Sequence, residues 1–459
     1  MTLFILLIFV LSILLIAFEP IAKMNKAAVA MFAGVCCWLF YIADGATYVI
    51  EHHPIDFLTF IASNDISFLS VKQFIARHVF FSYLLSCANV VLFLLATTSI
   101  VEVLNNNGCF DFLAEWLRTW RPLRLLWLLA GITFLISAQL DNLATVVLLL
   151  TIVHPLLQRP DVRRIYCTVI VLSANCGGAI SAIGDMTTLK LWTDGWVTPT
   201  AYFLHLVLPV SAALVTILFL LYHRLPRRLS FTFAAPYRGD DTLLTRPQRL
   251  LLLLVGVGGL WFIPTFSRIT QLPACLGALC VLSLLWIVNE LCNRSLLGSD
   301  RMVGKRLPMA LQYANLQNLL FFIGVSLMVG ALVEAGLTQK LSAIASSTFV
   351  NPFFLAPILS LVSAFCGNVV TLITSVGIFS SPYAISFSDA YAVDGLFWYI
   401  LSYSTILGGS FIATGTVAGF LLLRMEGVSA LWYIRHITPK VIAGFFVGLA
   451  VMMASHYCF

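Results

Sequence analysis

Apolar residues run along this chain in stretches too long for the amphipathic elements of a water-soluble domain. Uncharged runs near 1–18, 27–43, 78–101, 201–222, 250–267, 269–289, 307–333 and 441–455 each approach or exceed the roughly 20 residues that a helix needs to cross a bilayer. Four longer regions, 125–158, 165–189, 341–388 and 395–423, do not fit simple spans, and each holds a Gly-, Asn- or Ser-bearing interruption. The uncharged run 341–388 has room to cross twice or to enter and return. Broken backbone at membrane depth is tolerated only where protein or a water-filled cavity satisfies it. The pattern therefore predicts a hairpin at 125–158 followed by a broken helix at 165–195, and a second hairpin at 341–388 followed by a broken helix at 395–423.

Composition places the chain in the same class. It is 60% hydrophobic and 10% charged over 459 residues, with a mean hydropathy of +0.98, whereas soluble domains carry about 25% charge. The first eighteen residues hold no charge and lack a basic leader and a small-residue cleavage site, so a retained first span is expected. Eleven cysteines, most of them in apolar segments, show no metal-ligand spacing and read as small buried hydrophobes. No phosphate loop, Ser–His–Asp arrangement or zinc motif is present, which argues against an enzyme.

The basic residues set the topology. With both hairpins returning to the side they enter from, or crossing twice, 21 of the 26 Lys and Arg fall on one side: Lys23, Lys26, Arg118, Arg121, Arg124, Arg159, Arg163, Arg164, those of 224–249 and 294–306, Arg424, Arg435 and Lys440. Lys72, Arg77, Arg268 and Lys340 fall on the other, and Lys190 stays within the membrane. Such a bias assigns the first side to the cytoplasm and both termini to the periplasm. The net charge of +6 thus reports on topology and not on nucleic acid. A single pass at 125–158 would put its two flanking arginine clusters on opposite faces. The hairpin-plus-broken-helix unit then occurs twice in opposite orientation, in an all-α polytopic fold of two inverted-topology repeats with a site between them at mid-membrane. The expected halves are 1–222 and 250–459, joined by a cytoplasmic linker, 223–249, that contains Pro226, Pro236 and Pro247.

Two polar motifs interrupt the first half. Ser137-Ala-Gln-Leu-Asp141-Asn142 puts a carboxylate and an amide inside hydrocarbon, and Ser173-Ala-Asn175-Cys-Gly177-Gly178 leads on to Gly184-Asp185-Met-Thr187-Thr188. A charged Asp at bilayer depth costs at least ~2.5–3.5 kcal/mol, so it faces a partner or an aqueous path. A hard cation takes carboxylate, amide, hydroxyl and backbone oxygens. Asp141, Asn142, Thr145, Asn175, Asp185, Thr187 and Thr188 supply these, with Ser363, Asn368, Ser410 and Thr414 as second-half candidates. A carboxyl group out of water favours its neutral form until a cation arrives beside it. Proton and sodium would then compete at Asp141 and Asp185. The plainer readings are that Asp141 caps the following half-helix and that Asn175 and Asn368 tie helices together. Ser363, Ser410, Thr414 and Thr416 divide evenly between ligand and packing. Glu102 and Glu334, near span ends, read as solvated.

These motifs resemble the NhaD-type sodium/proton antiporter family of the ion transporter superfamily, over most of the chain. The resemblance rests on Pro20-Ile-Ala-Lys23-Met-Asn-Lys26, Thr98-Ser-Ile-Val-Glu102, Ser137 to Thr145, Asn175 to Thr188, Gly408-Gly409-Ser410 to Gly419, and Met425-Glu426-Gly-Val-Ser-Ala-Leu-Trp432. It implies exchange of sodium or lithium for protons across a bacterial inner membrane, without cofactor or ATP. A homodimer would leave only an apolar surface, which sequence does not distinguish from lipid contact. Two positions depart from the family pattern. Ser363-Ala-Phe-Cys-Gly367-Asn368 lacks the second-half acid, and Lys190 replaces an apolar residue. Lys190 would either snorkel to the interface or modulate the site beside Asp185. An anion carrier of the same superfamily, for dicarboxylate, citrate or arsenite, is the rival reading; a channel fits the two opposed halves less well.

Overall fold

The computed structural model describes residues 2–19, 24–61, 68–119, 121–157, 159–223, 225, 244–294, 316–348, 351–381 and 388–458. Lys23, Pro226, Pro236 and most of the expected linker lie outside them. The described chain is helical, with no strand. Seven described helices are long and apolar enough to cross a membrane: Lys26–Ala43, Phe68–Asn106, Pro199–Tyr222, Arg246–Thr270, Ala274–Cys292, Leu316–Glu334 and Thr438–Tyr457. Their outward faces carry exposed Phe32, Leu204, Phe219, Trp261, Phe262 and Phe446, as lipid-facing helices should. This is an all-α, multi-pass membrane protein. Between the first two of these spans the chain folds into short helices, Gly45–His52 and Pro54–Ile61, where the apolar pattern predicts none.

Both hairpin regions form two antiparallel arms. Pro122–Ser137 begins with Pro at its first turn, where the missing N–H is harmless. The return arm, Asn142–Leu156, starts from Asp141 as N-cap. In the second half the arms are Leu355–Cys366 and Asn368–Phe379, hinged at Gly367. This hairpin is shorter than 341–388, because Asn351-Pro352 stops the separate helix Leu337–Thr348 from running on. Arms of 12 residues reach only ~18 Å at 1.5 Å per residue, short of the ~30 Å hydrocarbon core.

Each hairpin packs its entering arm along an interrupted helix. The first is Pro160–Ala179 followed by Met186–Thr193, and the second is Leu396–Gly409 followed by Val417–Glu426. Residues 166–179 and 397–409 are buried without exception, so the upstream halves of these helices are the innermost elements. The same two contacts lock arm to helix in both places. Ser137 Oγ donates to the Ala174 carbonyl at 2.7 Å, and Ser363 Oγ to the Thr405 carbonyl at 2.5 Å. Three residues after each carbonyl a glycine, Gly177 or Gly408, permits close approach to the residue three before each serine, Phe134 or Ser360. A Cβ on Gly177 would lie 2.3 Å from Phe134 O, and one on Gly408 2.3 Å from Ser360 Cα.

The halves interlock. Pro160–Ala179 also packs on Val417–Glu426, Met186–Thr193 on Asn368–Phe379, and Lys26–Ala43 lies along Leu316–Glu334. The last pair run parallel, since Gln317 Nε2 donates to Asn25 Oδ1 at one end and His53 meets Glu334 at the other.

Candidate functional site

The two breaks and the two hairpin tips converge. Asp141, 4% exposed, uses one oxygen as the cap: Oδ2 accepts from Leu143 N at 3.1 Å and Ala144 N at 3.3 Å. Its other oxygen, Oδ1, is buried and has no hydrogen-bond partner among the described residues, and the same holds for Thr145 Oγ1 one turn on. Capping therefore accounts for half of this carboxylate. Asp185, 2% exposed, heads Met186–Thr193. Its N–H donates to Thr188 Oγ1 at 3.2 Å, and its Oδ2 accepts from Thr187 Oγ1 at 2.5 Å. The two carboxyl groups lie close enough to feel one another's charge. Each sits at the N-terminus of a half-helix, where aligned peptide dipoles favour negative charge.

Amides join this pair to the second half. Asn142 N donates to the Gly184 carbonyl at 3.1 Å, pinning the first hairpin tip to the first break. Asn142 Nδ2 faces Asn175 Oδ1 at 3.5 Å, and Asn175 Nδ2 donates to Ser410 Oγ at 2.9 Å and Thr416 Oγ1 at 3.3 Å. Asn368 Nδ2 donates to Asp185 Oδ2 at 3.3 Å. The structure thus brings Asp141, Asn142, Thr145, Asn175, Asp185, Thr187, Thr188, Asn368 and Ser410 into one neighbourhood. Ser363 is engaged with the Thr405 carbonyl, and Thr414 lines a small cavity with Gly367, Asn368 and Thr416 instead. That cavity, about 30 Å³, holds one or two waters. It shares Lys26, Glu19 and Phe420 with a wider cleft of about 410 Å³ reaching Leu143 and Arg424. The hairpin tips are therefore approached from the end of the molecule that carries the basic residues.

Three residues go beyond their sequence reading or against it. Thr416 caps Val417–Glu426 through Gly419 N at 3.1 Å and accepts from Asn175. It follows Gly415 as Asp185 follows Gly184, and that matched placement was the available signal. Lys190 is 8% exposed and turns from Asp185 toward Asp194. Its Nζ donates to Ser86 Oγ at 2.6 Å and pairs with Asp194 at 2.8 Å, because five residues along a helix rotate a side chain ~140°. Glu334 is buried, not solvated: its oxygens accept from Tyr83 OH and meet His53 Nε2, each at 2.8 Å.

On the basic side, Glu426 ends the second broken helix with its side chain 1% exposed. It accepts from Arg163 Nε at 2.7 Å and meets His154 Nδ1 at 3.0 Å, tying it to the first broken helix and first hairpin. Among the described residues no three His, Cys, Asp or Glu side chains form a metal-holding cluster. The polar atoms gathered at the breaks and hairpin tips are carboxylate, amide and hydroxyl groups, a set suited to a hard cation.

A many-span helical fold with two broken helices meeting at buried carboxylates fits a secondary transporter, and the family match and the relatives place the chain in the ion transporter superfamily and not among enzymes. The chain belongs to the family whose model, described as "Citrate transporter" (CitMHS), matches residues 13–401, and several of its relatives are named sodium/proton antiporters, among them NhaD antiporters. It is 27% identical to "Sodium/proton antiporter 2" of Arabidopsis thaliana, over 98% of this chain and 99% of that protein. It is 25% identical to "Na(+)/H(+) antiporter NhaD" of Vibrio cholerae, over 84% and 82% of the two chains. The NhaD antiporter of Alkalimonas amylolytica is 26% identical over 97% of this chain.

Proposed function

We propose that this transporter exchanges sodium or lithium for protons by alternating access, with Asp141 and Asp185 binding cation or proton in competition. The observation that carries the reading is Asp141 Oδ1, a buried carboxylate oxygen without a partner beside the equally unpartnered Thr145 hydroxyl. A buried charge of this kind is stable only when neutralised. A proton on the carboxyl does this in one state of the cycle. A sodium ion among Asp141, Thr145, Asp185 and the Asn142 and Asn175 amides does it in the other. Because the same oxygens serve both ions, loading one requires releasing the other. The matched hairpin and helix contacts support two inverted repeats, in which one half rocks against the other around this site. The bacterial relatives support an inner-membrane location, and the bias of the basic residues supports a cytoplasmic basic face with both termini periplasmic.

One observation favours an anion carrier instead. The second-half tip is neutral, with Gly367, Asn368 and Thr416 at two half-helix N-termini and Lys26 at the mouth of the cavity. The deciding experiment measures dye-reported proton flux in proteoliposomes on adding sodium, lithium, potassium, citrate or succinate. Sodium- or lithium-driven proton movement, lost in Asp141→Asn and Asp185→Asn, is the expected result. Citrate or succinate uptake without a cation response would overturn it in favour of the anion carrier.

A further inference from the structure

Glu334 is a buried carboxylate that the exchange chemistry above does not use, and it sits in a continuous chain of polar groups. His53, its side chain 29% exposed, places Nε2 2.8 Å from Glu334 Oε2. Tyr83 OH donates to Glu334 Oε1 at 2.8 Å. Tyr83 also lines a cavity of about 280 Å³ together with Ser86, Lys190, Asp194 and Ser326, and Ser86 Oγ donates to Asp194 Oδ1 at 3.0 Å. The inner wall of that cavity is Ile373 and Val376, on the arm whose first residue, Asn368, touches Asp185. Lys190 rides on the half-helix that Asp185 heads. Five helical residues separate cavity from site on either element, ~7.5 Å.

The chemistry of this cavity discriminates between the two ions. A sodium ion would meet the like charge of the Lys190 ammonium, and the Asp194 carboxylate already holds that ammonium. A proton passes along hydrogen bonds without the body of an ion having to enter. We propose that His53, Glu334, Tyr83 and the cavity behind them form a proton-selective half-path from the face opposite the basic loops, separate from the cleft at Lys26 that admits sodium. This rests on the antiport reading. Outward, a proton reaches the Tyr83 oxygen from the cavity as the Tyr83 hydroxyl proton passes to Glu334 Oε1. In the same relay a neutral Glu334 passes the proton it carries on Oε2 to His53 Nε2, and His53 loses one from Nδ1 to water, so one proton leaves for each that enters. The reverse relay retraces the same transfers and returns each proton to its first site. Tyr41 faces Glu334 from a neighbouring helix, Tyr48 stacks on Tyr41, and Asp56 faces His53. The hydrogen bond that His53 donates to Glu334 holds its imidazole above the usual range, with burial opposing. In this conformation the path ends at Ile373 and Val376, so delivery to Asp185 requires the second hairpin to move.

The test compares Glu334→Gln and Tyr83→Phe with wild type in proteoliposomes. It reads sodium-driven proton movement and, separately, radioactive-sodium counterflow at equal sodium on both sides, which needs no proton. Both variants are expected to lose at least roughly tenfold in sodium/proton exchange, the lower range for a positioned proton-transfer group, while counterflow stays near wild type. Full exchange in either variant, or joint loss of counterflow in both, overturns the half-path. A wild type with neither activity overturns the antiport reading, and the half-path with it.

Discussion

The two hairpin tips have one scaffold and opposite electrostatics. In the first half the tip is Asp141-Asn142 and the break ends in Gly184-Asp185; in the second the corresponding residues are Gly367-Asn368 and Gly415-Thr416. The packing chemistry is retained in both, with serine to carbonyl and glycine against the facing arm. Both carboxylates lie in one half. Backbone geometry explains part of this. Asp141 has φ −51° and ψ 140°, open to any residue, whereas Gly367 has φ 92° and ψ 153°, a region essentially limited to glycine. The second tip lost its acid together with the conformation that would hold one. Scaffold and cargo chemistry are therefore separable in this fold, the first fixed by small residues and the second by which half carries charge.

Removing charge from the acidic half should produce the largest effect. Asp141→Asn and Asp185→Asn are each expected to reduce sodium-driven proton movement to background with the protein still folded. Asn replaces a carboxylate at similar volume and keeps one capping oxygen. Retained exchange in either variant would mean that one acid suffices.

Next comes the contact that joins the unlike halves, Glu426 with Arg163 and His154. Removing one partner of a buried ion pair strands the other, at ~3–5 kcal/mol. Arg163 is 18% exposed at the side chain, which places the expected loss for Glu426→Gln at the lower end, about 3 kcal/mol. Thermal unfolding in detergent measures it, and an unchanged midpoint would remove this triad from the account of how the halves hold together.

The packing glycines offer a sharper comparison, because they should behave alike. Gly177→Ala and Gly408→Ala each force a methyl against backbone at 2.3 Å. Overpacking of this sort costs ~1–3 kcal/mol. Equal losses support a shared scaffold; a loss at Gly177 alone would mean that the second half is looser than its contacts suggest.

Much of this scaffold was legible in the sequence. Apolar runs gave the spans, and the Gly, Asn and Asp interruptions gave hairpins and breaks, because broken backbone inside a membrane needs such residues. Gathering Asp141, Asn175 and Asp185 was also within reach, since buried acids and amides in an apolar chain need one another. The true start of the second hairpin was readable only at Asn351-Pro352, a local stop inside an uncharged run. Glu334 was misplaced for a different reason. Its partners Tyr83 and His53 are far along the chain, and hydropathy places a residue by depth without saying what faces it. Short helices such as Gly45–His52 and Pro54–Ile61 span about two turns, too few for a periodic signal.

The smallest expected effect falls on Thr416, and it tests the comparison most finely. Thr416 and Asp185 occupy matched places: each follows a glycine, heads the second part of a broken helix and receives a bond from the opposite half, from Asn175 in one case and Asn368 in the other. If the neutral half is scaffold, Thr416→Ala loses a helix cap and one weak hydrogen bond, together about 0.5–2 kcal/mol. Sodium affinity should then shift by less than about tenfold, since 1.4 kcal/mol is one decade. Thr416→Ser, which keeps the hydroxyl, should restore both stability and affinity. A loss of exchange in Thr416→Ala as complete as in Asp185→Asn, at unchanged stability, would show that this hydroxyl contacts the ion. The site would then draw ligands from both halves, with the division of charge between the tips setting how tightly the ion is held and not which half holds it.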